Sequence, residues 1–401
     1  MEKQLLPKLR FSEFEDEWKK MKLGGIGKVS MCKRIMKDQT KTFGDIPFYK
    51  IGTFGKQANA FIDIDIYEEY KTKYSYPRKG DILIAASGAT YGKTVVFDGK
   101  PAFFQDSNIV WIDNDEEQVY NAFLNIVYQL IQWKIQTSTI PRLYNDIIRS
   151  ASVMIPSIPE QEKIASFLTD VDNKITQLTK KKELLEQYKK GIMQQFFNQE
   201  LRFKDDDGNE FPEWSKNKIG NVFNSFKGKG IPKGDLTSDG VNKCVLYGQL
   251  YTTYNEVINQ VVSSTNSDDG LKSKKGDLLI PSSTTTTGID LANVTALNFE
   301  DILLGGDIII MRGKKEINNI FYAYYLSNYK KHQIASRAQG ITIVHLYFNS
   351  IKDLEIDIPA IEEQTKIANF LSDIDAKIES VQSQIERSKT FKKGLLQQMF
   401  V

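Results

Sequence analysis

The stretch with the most chemistry-ready residues is Ala86-Ser87-Gly88-Ala89-Thr90-Tyr91-Gly92-Lys93-Thr94. It follows an apolar run and ends Gly-Lys-Thr, as a phosphate-binding loop does. The nucleotide-binding version needs four residues between its glycines so that backbone N–H groups ring the phosphates; Gly88 and Gly92 enclose three. No helical pattern follows Lys93, and Val95-Val96-Phe97 reads as extended. A hydrolase using Lys93 is therefore disfavoured. A tight loop offering N–H groups, hydroxyls and a lysine to an anion is favoured.

Asp170-Val171-Asp172-Asn173-Lys174 and Asp373-Ile374-Asp375-Ala376-Lys377 resemble fragments of a metal-dependent nuclease site. No partner carboxylate on an adjoining strand is evident, so a solvated helix face with local ion pairs is expected. His332 and His345 are the only histidines, and neither has companions at metal-ligand spacing. No nucleophile motif, adenine-methyltransferase Asn/Asp-Pro-Pro-aromatic run or convincing glycine-rich cofactor loop is present. The chain is expected to be non-catalytic and to hold no metal.

Basic and aromatic loops remain. Lys28, Cys32-Lys33-Arg34, Lys37 and Lys41 form one cluster, and Lys227-Gly228-Lys229-Gly230 with Lys233 falls at a similar place in the second half. Tyr49-Lys50-Ile51-Gly52 with Phe54 corresponds to Tyr247-Gly248-Gln249 with Tyr251 and Tyr254. Lysines hold phosphates, while amides and hydroxyls such as Gln57, Gln105, Ser107 and Gln249 read base edges. In the first half the expected DNA-contacting set is completed by Lys56, Ser87, Thr90, Tyr91, Lys93 and Arg142. In the second half it is completed by Ser283, Thr285, Arg337 and His345.

The elements that carry these loops are written twice. Residues 155–197 and 358–400 align without a gap at a constant offset of 203 residues, with about half their positions identical. Each reads as one long helix with proline only at its start. Ile164, Leu168, Val171, Ile175, Leu178 and Leu185 form a heptad stripe in the first copy; Ile367, Leu371, Ile374, Ile378, Val381 and Ile385 form it in the second. Lys182, Lys189, Ser388 and Lys392 interrupt it. A lone helix must bury such a stripe, and the nearest partner is the other copy, as an antiparallel coiled coil. Such a helix of ~38 residues would be about 57 Å long, or about 17 base pairs of duplex.

A globular segment precedes each helix. Leu9-Arg10-Phe11, Trp18 and Lys79-Gly80-Asp81-Ile82-Leu83-Ile84 return as Leu201-Arg202-Phe203, Trp214 and Lys275-Gly276-Asp277-Leu278-Leu279-Ile280. A second apolar strand (109–111, 308–310), a helical stretch (120–133, 320–332) and a Leu-Tyr pair (Leu143-Tyr144, Leu346-Tyr347) follow in both. The expected plan is α+β with a pseudo-two-fold repeat: globules at 1–154 and 201–357, helical regions at 155–200 and 358–401. Equal antiparallel helices would put the globules at opposite ends of a rod, a symmetry suited to a two-part duplex site.

Composition agrees. The apolar fraction of 41% supports real cores, and a net charge of +2 confines any electropositive surface to patches. Two distant cysteines, Cys32 and Cys244, make no disulfide framework. No apolar run suits a membrane span, and the N-terminal ten residues lack a signal-peptide core, so a cytoplasmic setting is expected.

The pattern Pro-Glu-Gln-x-x-Ile-Ala, then Asp-x-x-Ile, closing on Lys-Lys-Gly-x-x-Gln-Gln, resembles the repeated region of DNA-specificity subunits of type I restriction–modification systems. It is carried by Pro159/Glu160-Gln161, Ile164-Ala165, Asp172, Ile175, Lys189-Lys190-Gly191 and Gln194-Gln195. It returns at Glu363-Gln364, Ile367-Ala368, Asp375, Ile378, Lys392-Lys393-Gly394 and Gln397-Gln398, with Glu362 in place of the leading proline. The resemblance implies two target-recognition domains, each reading half of a bipartite sequence in double-stranded DNA. It implies helices that set the unread spacer, and docking of two modification subunits and two restriction subunits. S-adenosylmethionine would belong to the modification subunits, and ATP and Mg to the restriction subunits. A scaffold that never touches nucleic acid is the competing reading; a steep salt dependence of duplex affinity would speak against it.

Overall fold

The computed structural model describes residues 6–133, 135 and 141–400. Residues 1–5, part of the stretch read above for a signal sequence, lie outside the described residues. The chain divides into two compact units, Met1–Thr179 with Ser383–Val401, and Lys180–Gln382. Each holds one globular head and parts of both long helices.

In the first unit a four-stranded antiparallel sheet runs in the order Gly27–Ser30, Ile109–Asn114, Ile82–Ala85, Thr94–Val96. A smaller sheet joins Phe61–Ile62, Ile46–Tyr49 and Phe103–Phe104. The strand Ile82–Ala85 is apolar at every position because both its faces are covered. Ile82 and Ile84 pack towards the helix Asn121–Leu130, while Leu83 and Ala85 pack against the smaller sheet with Phe48 and Phe103. Side chains alternate across a strand, so one run supplies two cores.

The second unit repeats the device with more strands. One five-stranded sheet contains Asp277–Pro281 and Ile308–Gly313, and another contains Asn242–Val245 and Leu303–Leu304. Leu278 and Ile280 enter one core; Leu279 enters the other. The helical stretch read at 320–332 is three pieces, Asn319–Tyr324, a wider turn Tyr325–Tyr329, and Lys331–Ala335.

Each head hands the chain to its long helix through an antiparallel ribbon, Lys19–Lys22 with Ser152–Ile155 and Ser215–Lys218 with Glu355–Ile358. The helices are Ile158–Phe197 and Ile361–Met399, of 40 and 39 residues, and run through Gly191 and Gly394 without a break. Pro159 lies in the first turn, where its missing N–H breaks no helical bond.

Within the first unit, Ile164 and Leu168 near the start of the first long helix share a core with Leu395 and Met399 at the end of the second. Within the second unit, Met193 and Phe196 at the end of the first helix share a core with Ile367, Leu371 and Ile374 at the start of the second. Start meets end in both, so the helices pair antiparallel. Ile374, Val381 and Ile385 are buried, whereas Val171, Ile175, Leu178, Ile378 and Leu185 are only half-buried. Two helices alone leave the flanks of a seam open to water.

The Glu-Gln pair at each helix start joins head to helix. The Glu160 carboxylate is fully buried; it accepts two bonds from the Arg10 guanidinium at 2.8 Å and one from the Trp18 indole at 3.2 Å. Glu363 accepts the same set from Arg202, at 3.1 and 2.8 Å, and Trp214, at 2.8 Å. Gln161 accepts from the Tyr120 N–H and donates to the Pro156 carbonyl; Gln364 does so with Asn318 and Pro359. The charge is taken out of water only because a guanidinium and an indole replace its hydration.

The aspartates of the helix repeat differ from expectation. Asp172 and Asp375 form no local pairs along a solvated face. Asp172 meets Lys392 and Asp375 meets Lys189, each across to the other long helix. Two of the three lysines that interrupt the heptad stripe, Lys189 and Lys392, reach these carboxylates; the third, Lys182, pairs with Glu186 one turn along its own helix. No cluster of His, Cys, Asp and Glu suited to a metal occurs among the described residues.

Candidate nucleic-acid interface

Two sites, one per head, are assembled from equivalent segments. In the first head Ala86 and Leu143 are joined by a backbone bond, Ser87 pairs with Arg142, and the Ser87 hydroxyl donates to the Asn108 side chain at 2.7 Å. In the second, Ser282 and Leu346 are joined likewise, Ser283 pairs with His345, and the Ser283 hydroxyl donates to Asp307 at 3.0 Å. Ser107 and Asp307 both have positive φ, 53° and 58°, because the chain reverses sharply between strands there. Arg142 lies over Tyr144 at 5.7 Å, and His345 stacks on Tyr347 at 6.0 Å. Both tyrosines are more than half exposed.

Beside each reversal lies a cleft. The first head's cleft, about 370 Å3, is lined by Arg34, Lys37, Lys50, Gln105, Asp106 and Ser107, among others. The second head's cleft, about 680 Å3, is lined by Lys233, Tyr247, Gln249, Tyr251 and Asp307, among others. Lys37 and Lys233 each open a single turn of 3-10 helix at the rim. The structure thus gathers Arg34, Lys37, Gln105 and Ser107 in one place, and Lys233, Gln249 and Tyr251 in the equivalent place.

Several expected base readers are occupied inside the head. Gln105 accepts the Ile51 N–H at 2.9 Å. Gln249 accepts the Leu246 N–H at 2.9 Å and donates to Ser263 at 2.6 Å. Ser87 and Ser283 are buried and bonded as above. The Gln105 carbonyl oxygen, the Gln249 amide and the two serine hydroxyls are thus engaged within their heads, and a spent donor or acceptor has little left for a base edge. Arg34 is partly neutralised by Asp106 at 2.8 Å, and Lys33 lies over Tyr74 at 4.8 Å. Lys41 pairs with Asp63. Lys37, Lys56, Gln57, Thr90 and Lys93 are exposed on the first head; Lys227, Lys229, Lys233, Thr285 and Arg337 are exposed on the second.

The Gly88–Gly92 loop folds on itself. The Tyr91, Gly92 and Lys93 N–H groups bond to the carbonyls of Gly88, Ala85 and Thr90, and Lys93 donates to the Phe54 carbonyl at 3.3 Å. Gly92 has φ 78°, and a Cβ there would meet the Trp133 ring at 2.7 Å. Tyr91 packs on the core. With these N–H groups turned inward, no phosphate cradle remains. The sister loop closes on Asp290, whose carboxyl is held below the usual range by hydroxyl bonds from Thr286 and Thr287.

Asn108, Asp307, Tyr144 and Tyr347 were absent from the expected set. The tyrosines had a legible signal, since each stands two residues after Arg142 or His345 at the same 203-residue offset as the helices.

Comparison with known proteins agrees with this paired construction. Residues 15–187 and 212–387 each match the family model described as type I restriction modification DNA specificity domain. A Haemophilus influenzae chain named as a type I restriction enzyme specificity subunit is 53% identical over 166 residues, 41% of this chain and 43% of that one. A Methanocaldococcus jannaschii chain named as the type I restriction enzyme MjaX specificity subunit is 26% identical over 97% of this chain and 94% of its own length. Among solved structures, the S subunit of a type I restriction–modification system from M. genitalium shares the fold at 14% identity. Its TM-score is 0.63 and coverage is 99% of both chains. A chain solved in work on complex assembly of the type I restriction–modification system has TM-score 0.54 at 15% identity, covering 95% of this chain and 96% of that one.

Proposed function

Because the chain belongs to the type I restriction–modification DNA specificity family and carries two of its domains, we propose that each head binds one half of a bipartite duplex sequence. The chain contributes recognition and no chemistry. Modification subunits carrying S-adenosylmethionine, and restriction subunits using ATP and Mg, dock on it in the cytoplasm, two of each. The helical pair sets the unread spacer between the halves; helices of 40 and 39 residues would each measure about 60 Å.

One observation carries this reading. The same constellation is built twice with different side chains at its exposed corner, Arg142 beside Tyr144 and His345 beside Tyr347. A constant frame with changed corners is what two readers of different half-sites require. Exposed lysines around each cleft supply phosphate contacts, and the corners supply base contacts.

The test is the affinity of the full chain, purified with its modification partner, for duplex DNA between 50 and 200 mM salt. A fall of about a thousandfold or more is expected if six or more phosphates are contacted. Affinity indifferent to salt, or no binding, would overturn the proposal.

A further inference from the structure

In the second head, Gln339 and His345 exchange backbone bonds at 2.8 and 2.7 Å and close a short hairpin. Gly340 turns it at φ 126°, a conformation that favours glycine; a Cβ there would strike the Ile343 carbonyl. At the tip Ile341 is 100% exposed, and Ile343 and Tyr347 are about half exposed. A single exposed apolar side chain would need no explanation, but three on one short segment do. The loop is pinned by its backbone bonds, so the exposure belongs to a fixed shape.

The surroundings identify the occupant. Arg337 is exposed at the base of the hairpin, and His345 closes it. His345 pairs with Ser283, whose hydroxyl donates to Asp307, and Asp307 lines the cleft with Lys233 and Tyr251. The hairpin is therefore continuous with the candidate interface. An apolar tip flanked by cationic and aromatic groups suits a duplex, where phosphates lie outside and base faces inside. Proteins that push an aliphatic side chain between base steps unstack the step and kink the duplex.

We infer that the 339–345 hairpin of the second head enters a DNA groove and that Ile341 wedges into a base step of that head's half-site. This rests on the DNA-binding reading. Arg337 then holds a flanking phosphate, and Tyr347 packs beside the opened step.

The experiment uses the full chain with its modification partner and a duplex bearing the bipartite sequence methylated in its host. A fluorescent analogue that keeps the base pair, 2-aminopurine for adenine and 6-methylisoxanthopterin for guanine, replaces each purine of the half-site in turn, except the methylated adenine. At one position the wild-type complex is expected to raise fluorescence about fivefold, as a base loses its stacking neighbour, and Ile341→Ala is expected to abolish the rise. Affinity should fall about tenfold with the lost apolar burial, while the salt dependence stays unchanged because no phosphate contact is lost. Because Ile341 touches no core, the variant should melt like the wild type. Tight binding with no fluorescence rise, or a rise that Ile341→Ala keeps, overturns the wedge and leaves the DNA-binding reading standing. Failure of the wild-type complex to bind the duplex overturns both.

Discussion

The Lys392 ammonium stands 2.7 Å from a carboxylate oxygen of Asp172, carried by the other long helix. Lys189 makes the equivalent bridge to Asp375 at 2.8 Å, with the roles of the two copies exchanged. The surroundings differ. Asp172 is half exposed, whereas Lys189 is nearly buried, also meets Glu256 at 3.2 Å, and lies over Tyr324 at 4.9 Å. Tyr324 donates to Asp375 at 2.6 Å.

Replacing the two lysines by methionine should therefore have unequal effects. Lys392→Met is expected to cost about 1 kcal/mol or less, as for exposed pairs. Lys189→Met leaves two carboxylates with neutral donors only, Tyr324 for Asp375 and Asn328 for Glu256, and is expected to cost about 2–3 kcal/mol. Burial alone would raise the Glu256 carboxyl, but Lys189 and Asn328 outweigh it and hold it below the usual range. A depressed carboxyl stabilises the fold above its unfolded pKa of about 4.3 and loses that contribution as pH falls through the folded value. Denaturant titrations at pH 7 and pH 4 check both points. Equal losses for the two variants would contradict the asymmetry.

Glu160 and Glu363 should be among the costliest positions to change. Glu160→Ala leaves the Trp18 indole without its acceptor and the Arg10 guanidinium with only the Asp16 carbonyl, and is expected to destabilise by about 3–5 kcal/mol. Adding Arg10→Met should recover part of that, since the stranded charge is gone. Tryptophan fluorescence through a urea titration reports the change directly, because Trp18 is itself a partner. A double variant no better than the single would show that packing, not charge, dominates there.

Specificity should be separable by head. Arg142→Ala is expected to relax base preference within one half-site by about 1–3 kcal/mol per contacted base, leaving the other half intact. His345→Ala should do the reverse. Competition binding with duplexes mutated in one half at a time makes the distinction. Loss of preference in both halves from either variant would contradict independent readers.

The cysteines report on packing. Burial pushes the Cys32 thiol up to about 12 and raises that of Cys244. Both should resist alkylation at pH 8 in the native protein and react on unfolding, where a thiol titrates near about 8.5. With folded values above the unfolded one, their contribution is present below about pH 8.5 and declines as pH rises beyond it. Rapid native labelling of Cys32 would mean the smaller sheet of the first head opens readily.

The frame was legible because it depends on periodicity. The heptad stripe gave the two helices, and the apolar runs at Ile82 and Leu278 gave strands, whose coverage on both faces emerged only with the fold. Arg10, Trp18 and Glu160 were visible as repeated letters, yet their meeting was not, since it joins residues 150 apart. The bonds that Gln105 and Gln249 make inside the head were hidden for the same reason, because an amide looks free until the N–H it accepts from is known. The equivalence of Arg142 and His345 was legible, because a fixed distance from a strong repeat is itself positional information, and both pair with a serine in the same way.

The most direct measurement is sequencing of methylated bases in the genome of a host expressing this chain with its modification subunits. Adenine methylation should fall on a single motif of two fixed halves separated by unread positions, and Arg142→Ala should alter one half only. A contiguous motif, or a motif unchanged by substitutions in either head, would contradict the account of two linked readers.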